Sequence, residues 1–381
     1  MRRLIYASAT VTRYRWPVLS ELGRRGVHCR LIIAGRASAT TPVVMPPGTP
    51  LLDLVHRPST GFGFRSDVIR LVKEYRPDVV LLEHGASLDF AWTMLVMKSW
   101  VGIPHVLWTH GINRRDLFMR SRSLASAARW VQLQLADGIL CYDSNSADDL
   151  RSRLPRKTIG VAPNSTDTAD LAARRRRLAG ERQALRRRSG MKAKYYVVTL
   201  GRLIKSKAFH VAVRVVSILR KRELDVGLIV IGDGPELKTI REVADGQGLF
   251  QGQNCHLLGE VTDSQQLVEA LACADICVNP GTLGLSVTDC MAAGVPIVAF
   301  SPLESGPYHG PEVTYVEEGT SGWLVRDHSD QALAQSVEHY LRLPASRRME
   351  YEEYCISFAE QRLGIGKLVD GMMGLLDHVA A

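Results

Sequence analysis

The stretch from Asn279 to Pro296 reads N-P-G-T-L-G-L-S-V-T-D-C-M-A-A-G-V-P, and its residue types suit a charged ligand. Gly281 and Gly284 would let backbone N–H groups come close to such a ligand. A helix starting near Ser286 would turn its N-terminus, which favours an anion, toward the same mouth. Asp289 lies one helical turn further on and points the same way. Amides for a phosphate and a carboxylate for sugar hydroxyls suit a nucleotide sugar. An ordinary strand-loop-helix of an α/β domain reads the same way.

A second set of charges lies upstream. Gly201-Arg202-Leu203 with Lys207 places two cations where a diphosphate could sit, the arginine as a planar fork and the lysine as a point charge. Ile231-Gly232-Asp233-Gly234-Pro235 is a turn that opens a helix on proline. In the first half a buried run ends in His110, and Gly111 lets the chain turn away. That imidazole could bond a sugar hydroxyl or steady positive charge, or it could simply cap a strand. Glu83-His84-Gly85 ends the preceding run in the same manner. Tyr14 and Arg15 follow the first strand, at the end where α/β sheets take their ligands, and could contact an acceptor. No G-x-G-x-x-G follows that strand, which argues against a dinucleotide there.

The elements that must carry these residues alternate. Apolar runs suited to buried strands cover Leu4 to Ala7, Val27 to Ile33, Val79 to Leu82, His105 to Trp108, Gly138 to Cys141 and Thr158 to Val161. A second series covers Tyr195 to Leu200, Val226 to Ile231, His256 to Leu258, Asp275 to Val278, Pro296 to Ala299 and Trp323 to Val325. Helical patterns fall between them, so the fold class is α/β with parallel sheets. Thr40 to Ser59, rich in Pro, Gly and Thr, reads as a long surface loop with room for one short edge strand. The boundaries expected are 1–168, an arginine-rich linker 169–194, a second domain 195–360 and a tail helix 361–381.

The chain has 381 residues, 46% hydrophobic and 23% charged, with a formal charge of +9. That composition is that of a globular protein large enough for two domains. Eight arginines and one glutamate between Arg174 and Arg188 hold most of the excess. With no aromatic among them they do not read as a nucleic-acid surface. A solvated linker or an anionic membrane surface fits better. Seven scattered cysteines in apolar runs read as reduced core thiols, with no metal set among them. No secretory leader or unbroken spanning segment is evident, since Asp89 and Lys98 interrupt Ala86 to Trp108. A cytoplasmic protein is expected, peripheral on the inner face of a membrane if the arginines act there.

These motifs resemble glycosyltransferase family 4, retaining enzymes of the GT-B fold. The resemblance implies two Rossmann-like parallel-sheet domains facing across a cleft, and a tail helix crossing back to the first of them. Gly201, Arg202 and Lys207 are similar to the family's G-R-L-x-x-x-K segment, whose cations bind the donor diphosphate. Gly232 falls in its G-x-G-P turn. Leu258 matches the strand end whose backbone lies by the nucleobase, with Cys255 as a neighbour. Asn164 to Asp167 is similar to the interdomain hinge, and His110 to the histidine beside the donor sugar. Asp289 corresponds to the acid that takes the ribose hydroxyls. Leu283, Gly284 and Leu285 keep the backbone donors. The first acid of the family's pair is replaced by Gly281, which leaves donor identity open, and Ala208 replaces a glycine.

What this implies is metal-independent transfer, with retention, from a nucleotide-diphosphate sugar to a glycan or lipid-linked acceptor in bacterial surface polysaccharide or glycoconjugate synthesis. His110, Arg202 and Lys207 would be catalytic, and no cofactor is called for. Tyr14, Arg15, Glu83 and His84 would face the acceptor. The alternatives are a non-catalytic module of the same fold that binds nucleotide or glycan, and a nucleotide-sugar epimerase.

Overall fold

The computed structural model describes residues 2–8, 13–33, 52–56, 70–83, 95, 98, 102–110, 124–303 and 306–381, with backbone alone for 13, 52–56, 124–126 and 128. The chain divides into two compact units, 1–164 with 365–381, and 165–364. Both are built from long apolar runs rather than alternating ones. Strands covered on both faces by helices have no polar side to show.

In the first unit the strands are β1 (Arg2–Ser8), β2 (Val27–Ile33), β3 (Leu52–His56), β4 (Val79–Glu83), β5 (His105–Thr109), β6 (Gly138–Cys141) and β7 (Thr158–Val161). They form one parallel sheet in the order β3-β2-β1-β4-β5-β6-β7. The chain therefore reverses its direction of travel between β1 and β4. The Pro- and Gly-rich stretch supplies β3 at the sheet edge, paired to β2 from Cys29 opposite Leu52. The tail helix Ile365–Ala380 belongs to this unit and buries Leu368, Val369, Met372, Leu375 and Leu376. A β-carbon on its Gly371 would lie 2.1 Å from the Val161 carbonyl oxygen, so the helix rests directly on β7 backbone.

The second unit repeats the plan with β8 (Tyr195–Leu200), β9 (Val226–Ile231), β10 (Cys255–Gly259), β11 (Ile276–Asn279), β12 (Ile297–Phe300) and β13 (Gly322–Val325). The order is β10-β9-β8-β11-β12-β13, with the reversal between β8 and β11. One face is covered by the helices His210–Lys221 and Asp330–Arg342, through Val215, Leu219, Leu333 and Val337. The other is covered by Ser264–Ala272, Ser286–Ala292 and Ala345–Phe358, through Leu271, Val287 and Ile356.

The arginine-rich run differs from a solvated linker. It forms the helices Thr168–Arg177 and Arg182–Arg188 inside the second unit. Arg175 bonds the Ala293 carbonyl oxygen at 3.0 Å and Glu352 at 3.3 Å. Arg176 pairs with Glu353 and Glu360, and Arg182 with Glu352. Arg186 is buried against Asp275 at 2.6 Å, which also accepts from the Tyr196 amide at 2.7 Å and pairs with Arg182 at 3.6 Å. Buried cations are tolerated when so partnered. The acids that do it stand about 90 to 180 positions away in sequence, which a local charge count cannot register. Arg177, Arg187 and Arg188 remain exposed. All seven cysteines are buried free thiols. Among the described residues no helix is long and apolar enough to cross a membrane.

Candidate functional site

Because the strand order reverses between β8 and β11, the connections leaving these two strands diverge. Open α/β sheets bind ligands at such points, beyond the carboxyl ends of the strands. The connection after β8 carries Gly201 to Ala208; the turn after β11 carries Pro280 to Leu285. Their backbones are clasped together. The Gly281 N–H donates to the Lys207 carbonyl oxygen at 3.1 Å and the Thr282 N–H to that of Ser206 at 2.9 Å. The fit leaves no volume for a side chain at position 281, where a β-carbon would stand 2.1 Å from the Ser206 oxygen.

That clasp seats Lys207. Its Nζ donates to the Thr282 carbonyl oxygen at 2.6 Å and lies 3.5 Å from where a β-carbon on Gly284 would be. The next amide, Leu283 N–H, donates to Nδ1 of His309 at 3.1 Å, and the Leu283 carbonyl oxygen accepts from Gly310 N–H at 3.1 Å. Since Nδ1 accepts, Nε2 carries the proton and donates to the Phe300 carbonyl oxygen at 2.9 Å. The N–H groups of Gly284 and Leu285 make no hydrogen bond among the described residues. Two free amides are thus left beside an ammonium. Burial lowers the Lys207 pKa; the buried Glu312 carboxylate raises it again, and Arg202 works with burial.

Beside this seat the ends of β8, β9 and β10 are tied by Gly201 N–H to the Ile231 carbonyl oxygen (2.9 Å) and Gly232 N–H to that of Gly259 (2.7 Å). Gly232 has φ +137°, and a side chain there would strike the Gly201 oxygen at 1.9 Å. Next to these ends opens a cavity of about 440 Å³, lined among others by Gly201, Arg202, Gly232, Asp233, Gly234 and Glu260. That volume is in the range of small-molecule sites. Arg202 is exposed on its wall.

Leu258 and Cys255 are not brought together there. Leu258 is exposed one residue before Gly259, whereas Cys255 begins β10 at the far end, buried in the core. Desolvation pushes its thiol up to about 12. Asp289 is partly buried and accepts from the Thr166 hydroxyl at 2.7 Å. Desolvation pushes its carboxyl up to about 6, against the Thr166 hydrogen bond.

In the first unit the corresponding reversal, between β1 and β4, gathers Arg15, Glu83 and His110. Glu83 accepts from the hydroxyls of Tyr6 (2.9 Å) and Ser8, and from Arg15 Nη2 at 3.3 Å. Arg15 also donates to the Tyr142 hydroxyl and lies 4.2 Å above the Trp108 ring. His110 stacks on Tyr142 with centroids 4.4 Å apart. Tyr14 is exposed beside Arg15. His84 and Gly111 lie outside the described residues. Sequence patterns missed His309, Glu312 and Tyr142. The first two sit in the connection after β12, Glu312 in the 3-10 helix Pro311–Tyr315, and the H-G-P-E tetrapeptide was the available signal.

Two family models match the chain: "Glycosyltransferase Family 4" over residues 11–170 and "Glycosyl transferases group 1" over 194–342. Alpha-D-kanosaminyltransferase of Streptomyces kanamyceticus is 22% identical over 298 residues, 74% of this chain and 73% of its own. The GDP-mannose-dependent alpha-(1-6)-phosphatidylinositol monomannoside mannosyltransferase of Mycobacterium tuberculosis is 28% identical over 239 residues, 58% of this chain and 57% of its own. Among solved structures, Anabaena HepE in complex with UDP superposes with a TM-score of 0.74 at 16% identity, over 99% of this chain and 100% of that one.

Proposed function

We propose, from the premise that this chain belongs to the GT-B glycosyltransferases, that it takes a sugar from a nucleoside-diphosphate donor bound in the second unit and passes it, with retention, to a glycan or lipid-linked acceptor. The observation that carries this is the seat described above: Lys207 locked into the 281–285 turn beside the free amides of Gly284 and Leu285. When the bond from anomeric carbon to diphosphate breaks, negative charge grows on the leaving oxygen. Donors fixed in advance around that charge lower the barrier, commonly as the largest single contribution. Lys207 and the two amides would hold the phosphate nearest the sugar, and Arg202, at the cavity wall, the other. The cations supply the charge neutralisation, so no metal enters the reading. Asp289 would take the ribose hydroxyls and the Gly232–Glu260 cavity the nucleoside. His110 is assigned to the sugar, as a neutral hydrogen-bond partner.

Lipid-linked and glycan acceptors are favoured because a phosphatidylinositol mannoside mannosyltransferase and colanic acid glycosyltransferases stand among the relatives. The test is release of nucleoside diphosphate from a panel of UDP, GDP, dTDP and ADP sugars, with and without polyprenyl-linked saccharide acceptors. Acceptor-dependent release with an α-configured product from an α-configured donor is expected. Binding of nucleotide without turnover across the panel points to a non-catalytic module, and conversion of donor alone to an epimerase.

A further inference from the structure

We infer that Arg15 is a positioning residue for His110, acting through Tyr142 to fix the plane of the imidazole and placing a buried guanidinium behind it. This rests on the assignment of His110 to the reacting sugar. Arg15 is 5% exposed and Tyr142 2%, whereas His110 is exposed. A ligand at this end of the sheet therefore meets the imidazole and not the groups behind it.

The chain of contacts behind His110 is continuous. The imidazole lies on the Tyr142 ring at 4.4 Å and 29°. The Tyr142 hydroxyl accepts from Arg15 Nη2, and the same nitrogen reaches Glu83 at 3.3 Å. Glu83 is pinned in turn by the hydroxyls of Tyr6 and Ser8. Nε and Nη1 of Arg15 are buried without a hydrogen-bond partner among the described residues, and the guanidinium lies over Trp108 at 4.2 Å. A guanidinium serving stability alone would be expected to fill its fork with acceptors. Among the described residues it uses one nitrogen, and that nitrogen holds the plate on which His110 rests.

Among the described residues, the charged and titratable groups facing His110 are Arg15 and Tyr142, Glu83 at the end of β4, and Asp143 after β6. Asp143 is committed to Ser146, whose amide and hydroxyl it accepts at 2.8 and 2.7 Å. Desolvation lowers the His110 pKa first and Arg15 second, while Glu83 and Asp143 raise it.

The experiment compares Arg15→Met, Arg15→Lys and Tyr142→Phe in the full chain. His110 is followed by heteronuclear NMR titration of the imidazole, assigned with His110→Asn. Nucleoside-diphosphate release is followed from UDP-glucose and GDP-mannose. Removing the cation in Arg15→Met should move the His110 titration to higher pH, and Arg15→Lys should restore it. Tyr142→Phe keeps the charge and should leave the titration in place while lowering kcat roughly tenfold to a hundredfold at unchanged donor KM, the size of effect a misplaced group has. Where Arg15→Met fails to fold, the Lys and Phe variants carry the comparison. An unmoved His110 titration in folded Arg15→Met, or a Tyr142→Phe whose kcat is that of the wild type, overturns the inference. Failure of the wild type to turn over either donor counts against the transferase reading; the titration still decides whether Arg15 governs the ring.

Discussion

The carbonyl oxygen of Ser206 stands 2.1 Å from the point a β-carbon on Gly281 would occupy. The turn therefore has a glycine at 281 because the Lys207 connection lies directly upon it, and an acid could be introduced there only by parting the two segments.

Gly281→Ala is accordingly expected to lose stability by about 1–3 kcal/mol, the range for overpacked sites. It should also weaken UDP binding, because the displaced segment is the one carrying Lys207. Gly374→Ala is the control: its β-carbon would meet nothing within 4 Å in the tail helix. It should gain about 0.5–1 kcal/mol. Thermal melts with and without UDP check both. An unaltered melting temperature in Gly281→Ala would mean that the clasp yields freely.

The two cations should not be equal. Lys207 is largely removed from water and bonded to the turn, whereas Arg202 is exposed on the cavity wall. Lys207→Ala is expected to lower kcat about 10²–10³-fold, as for one preorganised donor to a developing anion. Arg202→Ala should cost roughly tenfold and be the more sensitive to added salt, since exposed charges are screened. Initial rates at two ionic strengths separate them, and equal losses would count against the seat.

Much of this was legible in the chain because it is local. Buried parallel strands give unbroken apolar runs, and Gly201, Arg202 and Lys207 sit within one connection. What was not legible depends on chain segments that meet only after folding. Tyr142 reaches Arg15 across 127 positions, and His309 caps the Leu283 amide across 26. The arginines between 174 and 188 looked solvated because Asp275, Glu352, Glu353 and Glu360 are remote in sequence. Cys255 was drawn toward the donor by its neighbours, but it begins β10 rather than ending it. Four residue steps of about 3.3 Å each separate the two ends.

Asp289 should trade stability for binding. Its folded pKa, about 6, lies above the ordinary 3.8. A raised pKa contributes stability that is complete below the unfolded value and is lost as pH rises through the folded one. At pH 7 the ionised carboxylate is thus a burden, of order 3 kcal/mol at most for a shift of about two units. Asp289→Asn should melt higher than the wild type at pH 7, with the gap closing toward pH 4. Its affinity for UDP should fall about tenfold if the carboxylate accepts the ribose hydroxyls, the order expected when a hydrogen bond to a charged group is lost. Undiminished UDP affinity would release Asp289 from that role.

Glu312 offers the last and most direct check on the charge of the seat. Its buried carboxylate raises the Lys207 pKa against the lowering by desolvation and by Arg202. Glu312→Gln keeps the shape and removes the charge, so the Lys207 ammonium should lose its proton at a lower pH. Two consequences of opposite sign follow. At pH 6, with Lys207 still protonated, UDP should bind the variant at least as well as the wild type, because a carboxylate no longer repels the diphosphate. As pH rises, the variant should lose affinity earlier, since a neutral amine neither attracts phosphate nor keeps its full set of donors. UDP titration calorimetry from pH 6 to 10 reads both, and the curves should cross. Parallel curves over the whole range would mean that Glu312 shapes the loop without setting the charge on Lys207.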